Sequence, residues 1–296
     1  MNNLKILVTG GAGFIGSNLI FKIKELYPDS NITVMDNLFT GDHSKVSGVV
    51  NRFDVLDTSM IDIIYPQDPG TFDIVYHFGE YSRIVKSFDD IKYVMATNLH
   101  GTSKVLESCR NWGAKLIYSA SSSTFGNDGQ DQNLSPYAWA KAKMVELIQN
   151  YREWYGLNYE ICYFFNVYGP GQIQSGDYAT VVGIFERQYL TGEPLTVVEP
   201  GDQTRDFTHV DDIVEGVLKA TDCNKNGHWH LRSGESISIL DLAGMFEHEY
   251  IMIPERKGER FKSEEIETHT REILNWEPKK SLSEYIKLIK NKTYAR

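Results

Sequence analysis

Cysteine is scarce. Cys109, Cys162 and Cys223 are odd in number, far apart and form no CxxC pair, which argues against a disulfide framework and fits a reducing compartment. Positive charge is also short: 30 Lys and Arg stand against 40 Asp and Glu, a formal net charge of −10 at pH 7. Phosphate backbones and anionic lipid surfaces are bound by clustered cations, so neither nucleic acid nor a membrane is expected as the main partner. No stretch of 18 consecutive apolar residues occurs. The N-terminal MNNLKILVTGG carries one Lys and a short apolar run ending in glycines, so neither a signal peptide nor a membrane span is expected to begin there. A soluble cytoplasmic protein is the expectation. Internal repeats and low-complexity segments are absent too.

With 296 residues, the chain stands at the upper edge of what one hydrophobic core supports, which points to one large domain or a domain with a smaller lobe. Its 41% hydrophobic and 24% charged residues are ordinary for a globular protein. Short β-rich runs alternate with helical patterns through the first half, the signature of βαβ units and a parallel sheet. Strands are expected at Lys5–Thr9, Ile32–Met35, Val49–Asp54, Phe72–His77, Lys115–Ala120 and Tyr159–Phe165. Helices are expected at Phe14–Leu26, Ser59–Tyr65, Ile91–Trp112, Tyr137–Tyr155 and from Asp211 to Ala220. The fold class read from this pattern is α/β: a Rossmann-type doubly wound parallel sheet with a smaller mixed α/β C-terminal lobe. The breaker cluster Asn166-Val167-Tyr168-Gly169-Pro170-Gly171 marks the boundary. The sheet domain is expected over 1–166, with part of 205–232 returning to it, and the lobe over 167–296.

Thr9-Gly10-Gly11-Ala12-Gly13-Phe14-Ile15-Gly16 follows the first strand and opens a helix. Glycines there let the chain turn tightly, bring backbone N–H groups to a pyrophosphate and let the helix pack closely on the sheet. Asp36 ends the second strand, 20 residues past Gly16. A carboxylate at that place accepts from a ribose 2′-OH and repels a 2′-phosphate, favouring NAD over NADP. Asp54 ends the third strand at the same sheet edge and reads either as an adenine contact or as a solvated strand-end acid.

Ser119-Ala120-Ser121-Ser122-Ser123 closes the fifth strand, and Tyr137-Ala138-Trp139-Ala140-Lys141 opens the next helix. Tyr and Lys at i and i+4 share a helical face. A free phenol has a pKa near ~10 and is a weak base at neutral pH, so a neighbouring cation is needed to stabilise phenolate. Lys141 and an oxidised nicotinamide would supply that charge, and a strand-end serine hydroxyl could bridge Tyr137 and a substrate oxygen.

With these motifs, the sequence resembles the extended short-chain dehydrogenase/reductases, in the nucleotide-sugar epimerase and dehydratase branch. The elements that carry the resemblance are TGGAGFIGS at 9–17, DN at 36–37, DV at 54–55, HFG at 77–79, TNLHGT at 97–102, SASSSTFG at 119–126, SPYAWAK at 135–141, FFNVYGPG at 164–171, QTRDFTHVDDIV at 203–214 and PERKGER at 254–260. The resemblance implies a catalytic Ser121, Tyr137 and Lys141. It implies NAD contacts from Gly10, Gly13, Phe14, Ile15, Gly16, Asp36, Asn37, Asp54, Val55, Phe78, Gly79, Thr97, Ser119, Tyr137, Lys141 and Phe165. For a nucleotide-diphosphate sugar it implies Ser121, Asn166 and Arg205, with Arg256 and Glu259 at the phosphate and ribose. Arginine forks suit phosphate oxygens and a carboxylate suits ribose hydroxyls. The resemblance also implies a homodimer paired through the helices of 91–112 and 144–154.

Within that branch, 4,6-dehydratases carry an acid pair just after the catalytic hydroxyl residue and decarboxylases a Glu; this chain has Ser122 and Ser123. The reductase-epimerases add a Cys/His pair, whereas Cys109 and Cys162 stand away from that motif, and the Lys of heptose 6-epimerases has no counterpart in Gln172–Asp177. A 4-epimerase acting on a UDP-hexose or UDP-N-acetylhexosamine through a transient 4-keto sugar is the expected activity. The alternatives are a dehydratase or 2-epimerase of the same branch, or a non-catalytic NAD-binding regulator. Three positions depart from the branch: eight residues between Gly126 and Ser135 form a short loop, Tyr163 replaces an Arg, and Gly79-Glu80-Tyr81 replaces a run of small residues. Glu80 reads either as a specificity or acid–base group or as a helix N-terminal acid. His228-Trp229-His230 puts two imidazoles on one strand face, but without a third ligand a strand-surface role is preferred to a metal. His209 beside Asp211 and Asp212 looks like a triad fragment, though the setting fits a helix entry capped by Asp211.

Overall fold

The computed structural model describes residues 3–125, 131–256 and 269–294. Its first half is built from β1 (Lys5–Thr9), α1 (Phe14–Leu26), β2 (Asn31–Met35), β3 (Arg52–Asp54), α2 (Ile61–Ile64), β4 (Ile74–His77), α3 (Ile91–Val94), α4 (Thr102–Trp112), β5 (Lys115–Ser121), α5 (Pro136–Tyr155) and β6 (Tyr159–Phe164). The second contains β7 (Val167–Tyr168), α6 (Val181–Thr191), β8 (Leu195–Val198), β9 (Thr204–Asp206), β10 (Thr208–His209), α7 (Val210–Cys223), β11 (His228–Leu231), β12 (Ser236–Ser238), α8 (Ile239–Phe246), β13 (Tyr250–Ile253), α9 (Thr270–Leu274) and α10 (Leu282–Tyr294).

Seven parallel strands form the central sheet in the order β11-β6-β5-β4-β1-β2-β3. Ile6, Leu7 and Val8 are wholly buried, as expected of a strand covered on both faces. One face packs Ile20, Val34 and Ile117 with Val214 and Val217; the other packs Leu7, Val75 and Leu116 with Leu106 and Ile148. A third cluster, Phe185, Val197, Leu242, Phe246 and Ile286, is the core of the smaller lobe. Strand order reverses between β1 and β4, which opens a crevice beyond their C-terminal ends. β11 returns to the sheet beside β6, pairing His228 to Leu231 with Ile161 to Phe164.

Local chemistry sets the element ends. Ser135 caps α5 by accepting from the Ala138 N–H at 3.1 Å, with Pro136 next in chain, and Gly156 in a left-handed conformation ends it. Several expected bounds move. β3 begins at Arg52 and β4 at Ile74, while the helix expected over Ser59–Tyr65 is a 3₁₀ turn, Thr58–Met60, followed by α2. The long helix expected over Ile91–Trp112 is interrupted by a π-helical turn, Met95–Gly101. There the Asn98 side chain leaves the helix to bond both backbone groups of Tyr81. At α7 the cap is His209 rather than Asp211: its Nδ1 accepts from the Asp211 N–H at 3.1 Å.

Candidate functional site

A cleft of about 490 Å³ lies over the crevice between β1 and β4 and runs toward the smaller lobe. Its floor is the glycine turn after β1. Gly10 has φ +68°, and a Cβ there would come within 2.7 Å of the Phe78 and Gly79 backbone. A Cβ on Gly16 would clash with the Gly10 carbonyl, so α1 reaches the sheet only because both are glycines. Gly13 precedes α1 without a side-chain cap, so the first N–H groups of the helix have no intrahelical acceptor, an arrangement that suits an anion. Gly10, Gly13, Phe14, Ile15 and Gly16 all line the cleft.

Asp36 stands at the end of β2, also on the cleft wall. Its Oδ2 accepts from the Ala12 N–H at 2.9 Å and its Oδ1 from the Leu38 N–H at 2.8 Å. Burial pushes its carboxyl above the usual range, and the two N–H groups work against that. This carboxylate, aligned by the glycine turn itself, suits a ribose hydroxyl. Asn37 lines the cleft too, with its amide donating to Tyr93 OH at 2.7 Å. Asp54 and Val55 do not line it. The Asp54 carboxylate turns to Tyr65 OH at 2.6 Å and Arg52 Nε, and Val55 is exposed; Leu56, Asp57 and Thr58 take their place on the wall.

Ser121 at the end of β5 and Tyr137 and Lys141 at the start of α5 meet on the opposite wall, together with Phe78, Gly79, Thr97 and Ser119. The Ser121 Oγ accepts from the Ser123 N–H at 3.2 Å, which leaves its own proton to donate. Lys141 is almost fully buried and donates to the Ser119 carbonyl and to Glu80 Oε2. Glu80 is the residue whose role the sequence left open. It is not in the first turn of a helix; its side chain is 1% exposed and its Oε1 also accepts from Thr102 Oγ1 at 3.0 Å and Tyr118 OH at 3.1 Å. Behind it, Thr102 Oγ1 is 2.9 Å from His77 Nε2, and His77 Nδ1 is 2.7 Å from Thr9 Oγ1, which accepts from the Gly79 N–H at 3.0 Å. These directions require the neutral Nε2–H imidazole, in keeping with burial holding His77 down to about 4. One hydrogen-bonded line thus ties the glycine-turn strand to Lys141.

At the lobe end, Asn166, Arg205, Phe207 and Arg256 line the cleft. Asn166 takes the rare φ of +24° and donates to the Asp206 carbonyl at 3.1 Å, which fixes its amide beside Arg205. Arg205, Arg256 and Asn166 also border an adjoining pocket of about 120 Å³ with Val181 and Gln203. Phe165 is buried and away from the cleft, whereas Phe164 lines it; side chains alternate along the chain here, so the neighbour takes the place expected for Phe165. Glu259 lies outside the described residues, as do Gly126 and part of the short loop before Ser135.

The two imidazoles of β11 have other partners. His228 Nδ1 meets Tyr163 OH at 3.0 Å, and His230 stacks on Tyr163 and Phe125 with centroids 4.7 and 4.8 Å apart. Tyr163, which replaces an arginine, thus builds this stack. No group of three His, Cys, Asp or Glu able to hold a metal occurs among the described residues, and no described helix is long and apolar enough to cross a membrane.

Comparison with known proteins places relatives around this geometry. The model of the family described as "NAD dependent epimerase/dehydratase family" matches residues 6–231. A putative UDP-glucose 4-epimerase of Methanocaldococcus jannaschii is 31% identical, over 97% of this chain and 97% of its own length. UDP-glucuronic acid decarboxylase 6 of Arabidopsis thaliana is 28% identical over 97% of this chain and 88% of its length. Among solved structures, the UDP-glucose 4-epimerase of Thermotoga maritima with UDP-glucose superposes with a TM-score of 0.87 at 29% identity, covering 100% of this chain and 99% of that one.

Proposed function

We propose, for a chain that belongs to the NAD dependent epimerase/dehydratase family, that it is a nucleotide-sugar 4-epimerase working with NAD. The observation that carries this reading is the acid-free end of β5. Residues 119–124 offer hydroxyls and no acid beside Tyr137, and Glu80, a described acid on the same wall, is bound to Lys141. A site with one base and no second acid suits proton removal and return at a single hydroxyl, not expulsion of a leaving group.

The glycine turn and the Asp36 carboxylate fit NAD: the turn admits no Cβ at Gly10 or Gly16, the helix start offers N–H groups, and the carboxylate offers oxygens to a ribose. When bound, NAD supplies reversible hydride acceptance. Tyr137 takes the proton of the C4 hydroxyl and gives it back, and Ser121 donates a hydrogen bond to the same oxygen. Lys141 stands one helical turn behind Tyr137 as the cation that favours phenolate. Arg205, Arg256 and Asn166 hold the nucleotide diphosphate at the lobe end, so the hexosyl ring can turn and present either face while its anchor stays in place.

The test is interconversion. NAD-loaded protein incubated with UDP-glucose, UDP-galactose, their N-acetyl forms and UDP-glucuronate should yield the C4 epimer of at least one, read from anomeric proton signals. Tyr137→Phe should cut the rate by about 10²- to 10⁴-fold while keeping bound NAD. A panel that yields no epimer, or a 4-keto or unsaturated product that accumulates, overturns the reading.

A further inference from the structure

Arg83 follows β4 in the chain and lines the same cleft. Among the described residues its buried Nε has no hydrogen-bond partner, and its Nη1 reaches only the carbonyl of its neighbour Ser82, at 3.2 Å. The carboxylates around it are taken by others. Glu80 is bound to Lys141, and Asp90 Oδ2 accepts from Tyr81 OH at 2.9 Å and Tyr178 OH at 3.2 Å. Asp89 and Asp177 face Lys86, at 3.4 and 3.7 Å. Three phenols, Tyr137, Tyr81 and Tyr178, stand close enough to act on its charge.

Arg83 is half-buried on the cleft wall with its Nε shielded from water, and a guanidinium so placed without a counter-ion matches a carboxylate with a two-pronged bond. Such a partner has to come from the ligand. Neither diphosphate of the reading above is at hand, since the glycine turn takes that of NAD and Arg205 and Arg256 take that of the substrate. Arg83 stands instead beside Tyr137, where the hexosyl ring lies on that same reading. We propose that Arg83 is a specificity-determining residue that binds the C6 carboxylate of a nucleotide-linked hexuronic acid, and that this class of sugar is the preferred substrate. The inference rests on the nucleotide-sugar reading of the site but not on the 4-epimerase chemistry.

Calorimetric titration of the NAD-loaded protein with UDP-glucuronate, UDP-glucose and UDP-N-acetylglucosamine tests it, alongside Arg83→Gln and Arg83→Lys. The wild type should bind UDP-glucuronate at least about tenfold more tightly than either neutral sugar. Arg83→Gln should reduce that preference by about ten- to a hundredfold, the loss expected for a hydrogen bond to a charged group, and Arg83→Lys should recover part of it. Melting temperature and NAD content confirm that each variant is folded. A wild type that prefers a neutral sugar, or an Arg83→Gln that weakens all three ligands by one common factor, overturns the proposal. Arg83-dependent binding of UDP-glucuronate without interconversion would sink the epimerase reading and leave this one standing; interconversion of neutral sugars indifferent to Arg83 would do the reverse.

Discussion

Replacing Glu80 by Gln isolates the buried pair at the centre of the site. The Glu80 and Lys141 side chains are 1% and 4% exposed, so neither charge finds water if the other is removed. In Glu80→Gln the new side chain keeps an acceptor for Thr102 and Tyr118 but turns an amide NH₂ toward the ammonium. Lys141 then retains only the Ser119 carbonyl. Removing one partner of a buried pair costs about 3–5 kcal/mol, and the two retained hydrogen bonds put the expected loss near the lower end, about 3 kcal/mol. For a domain of this size each kcal/mol lowers Tm by roughly 2–4 °C, so Glu80→Gln should melt roughly 6–12 °C below the wild type in scanning calorimetry. The double variant Glu80→Gln, Lys141→Met removes the stranded charge as well and should melt above the single variant, with a coupling of at least about 1 kcal/mol. A Glu80→Gln protein melting within a degree of the wild type, or a strictly additive double variant, would refute the pairing as the source of stability.

Acid should weaken the fold through its imidazoles. Burial holds His77 and His230 down to about 4, whereas the unfolded chain protonates them near the ordinary histidine value of about 6.5; their share of stability is therefore whole above that value and lost as pH falls toward 4. Between pH 7 and pH 5 the loss is about 2 kcal/mol for each, measured as a shift in urea midpoint. His230→Phe, which preserves the stack on Tyr163 and Phe125, should flatten that slope; an unchanged slope counts against the assignment. The glycines predict opposite signs for one substitution. Gly16→Ala meets the Gly10 carbonyl and should cost about 1–3 kcal/mol with loss of NAD retention, whereas Gly244→Ala, with open space around its Cβ in α8, should gain roughly 0.5–1 kcal/mol. Equal effects of the two would show that the close approach at Gly16 is not limiting.

The parts of the site that read well from sequence are local. A strand, a glycine turn, a helix and an acid at the end of the next strand announce themselves by spacing, and Tyr137 and Lys141 share a face because a helix repeats every 3.6 residues. The contacts that give these groups their surroundings are long-range. Glu80 meets Lys141 across 61 positions, and no local pattern records that the carboxylate folds inward to the ammonium. Asp54 stands at a strand end as expected, but Tyr65 and Arg52 compete for it from the same side. Phe165 lies just past the end of β6 and is buried off the cleft wall, and the lining residue is Phe164, one position earlier. Arg83 carried no signal at all, since an arginine after a Ser-containing turn reads as surface until the neighbouring carboxylates are seen to be engaged.

The order of strands in the central sheet bears on how such a protein can be made and inherited. β11 completes the sheet beside β6, yet it is encoded after α6 and β8 of the smaller lobe, and α7, which packs against α1, precedes it directly. A nascent chain that has emerged only as far as Phe164 holds an open edge at β6 and an α1 with one flank bare. The cofactor half therefore cannot finish before much of the lobe has been synthesised. A gene segment ending at the breaker cluster encodes no self-contained nucleotide module, so recombination that exchanges sugar specificity must work by substitution within the lobe rather than by splicing a new one onto a finished half.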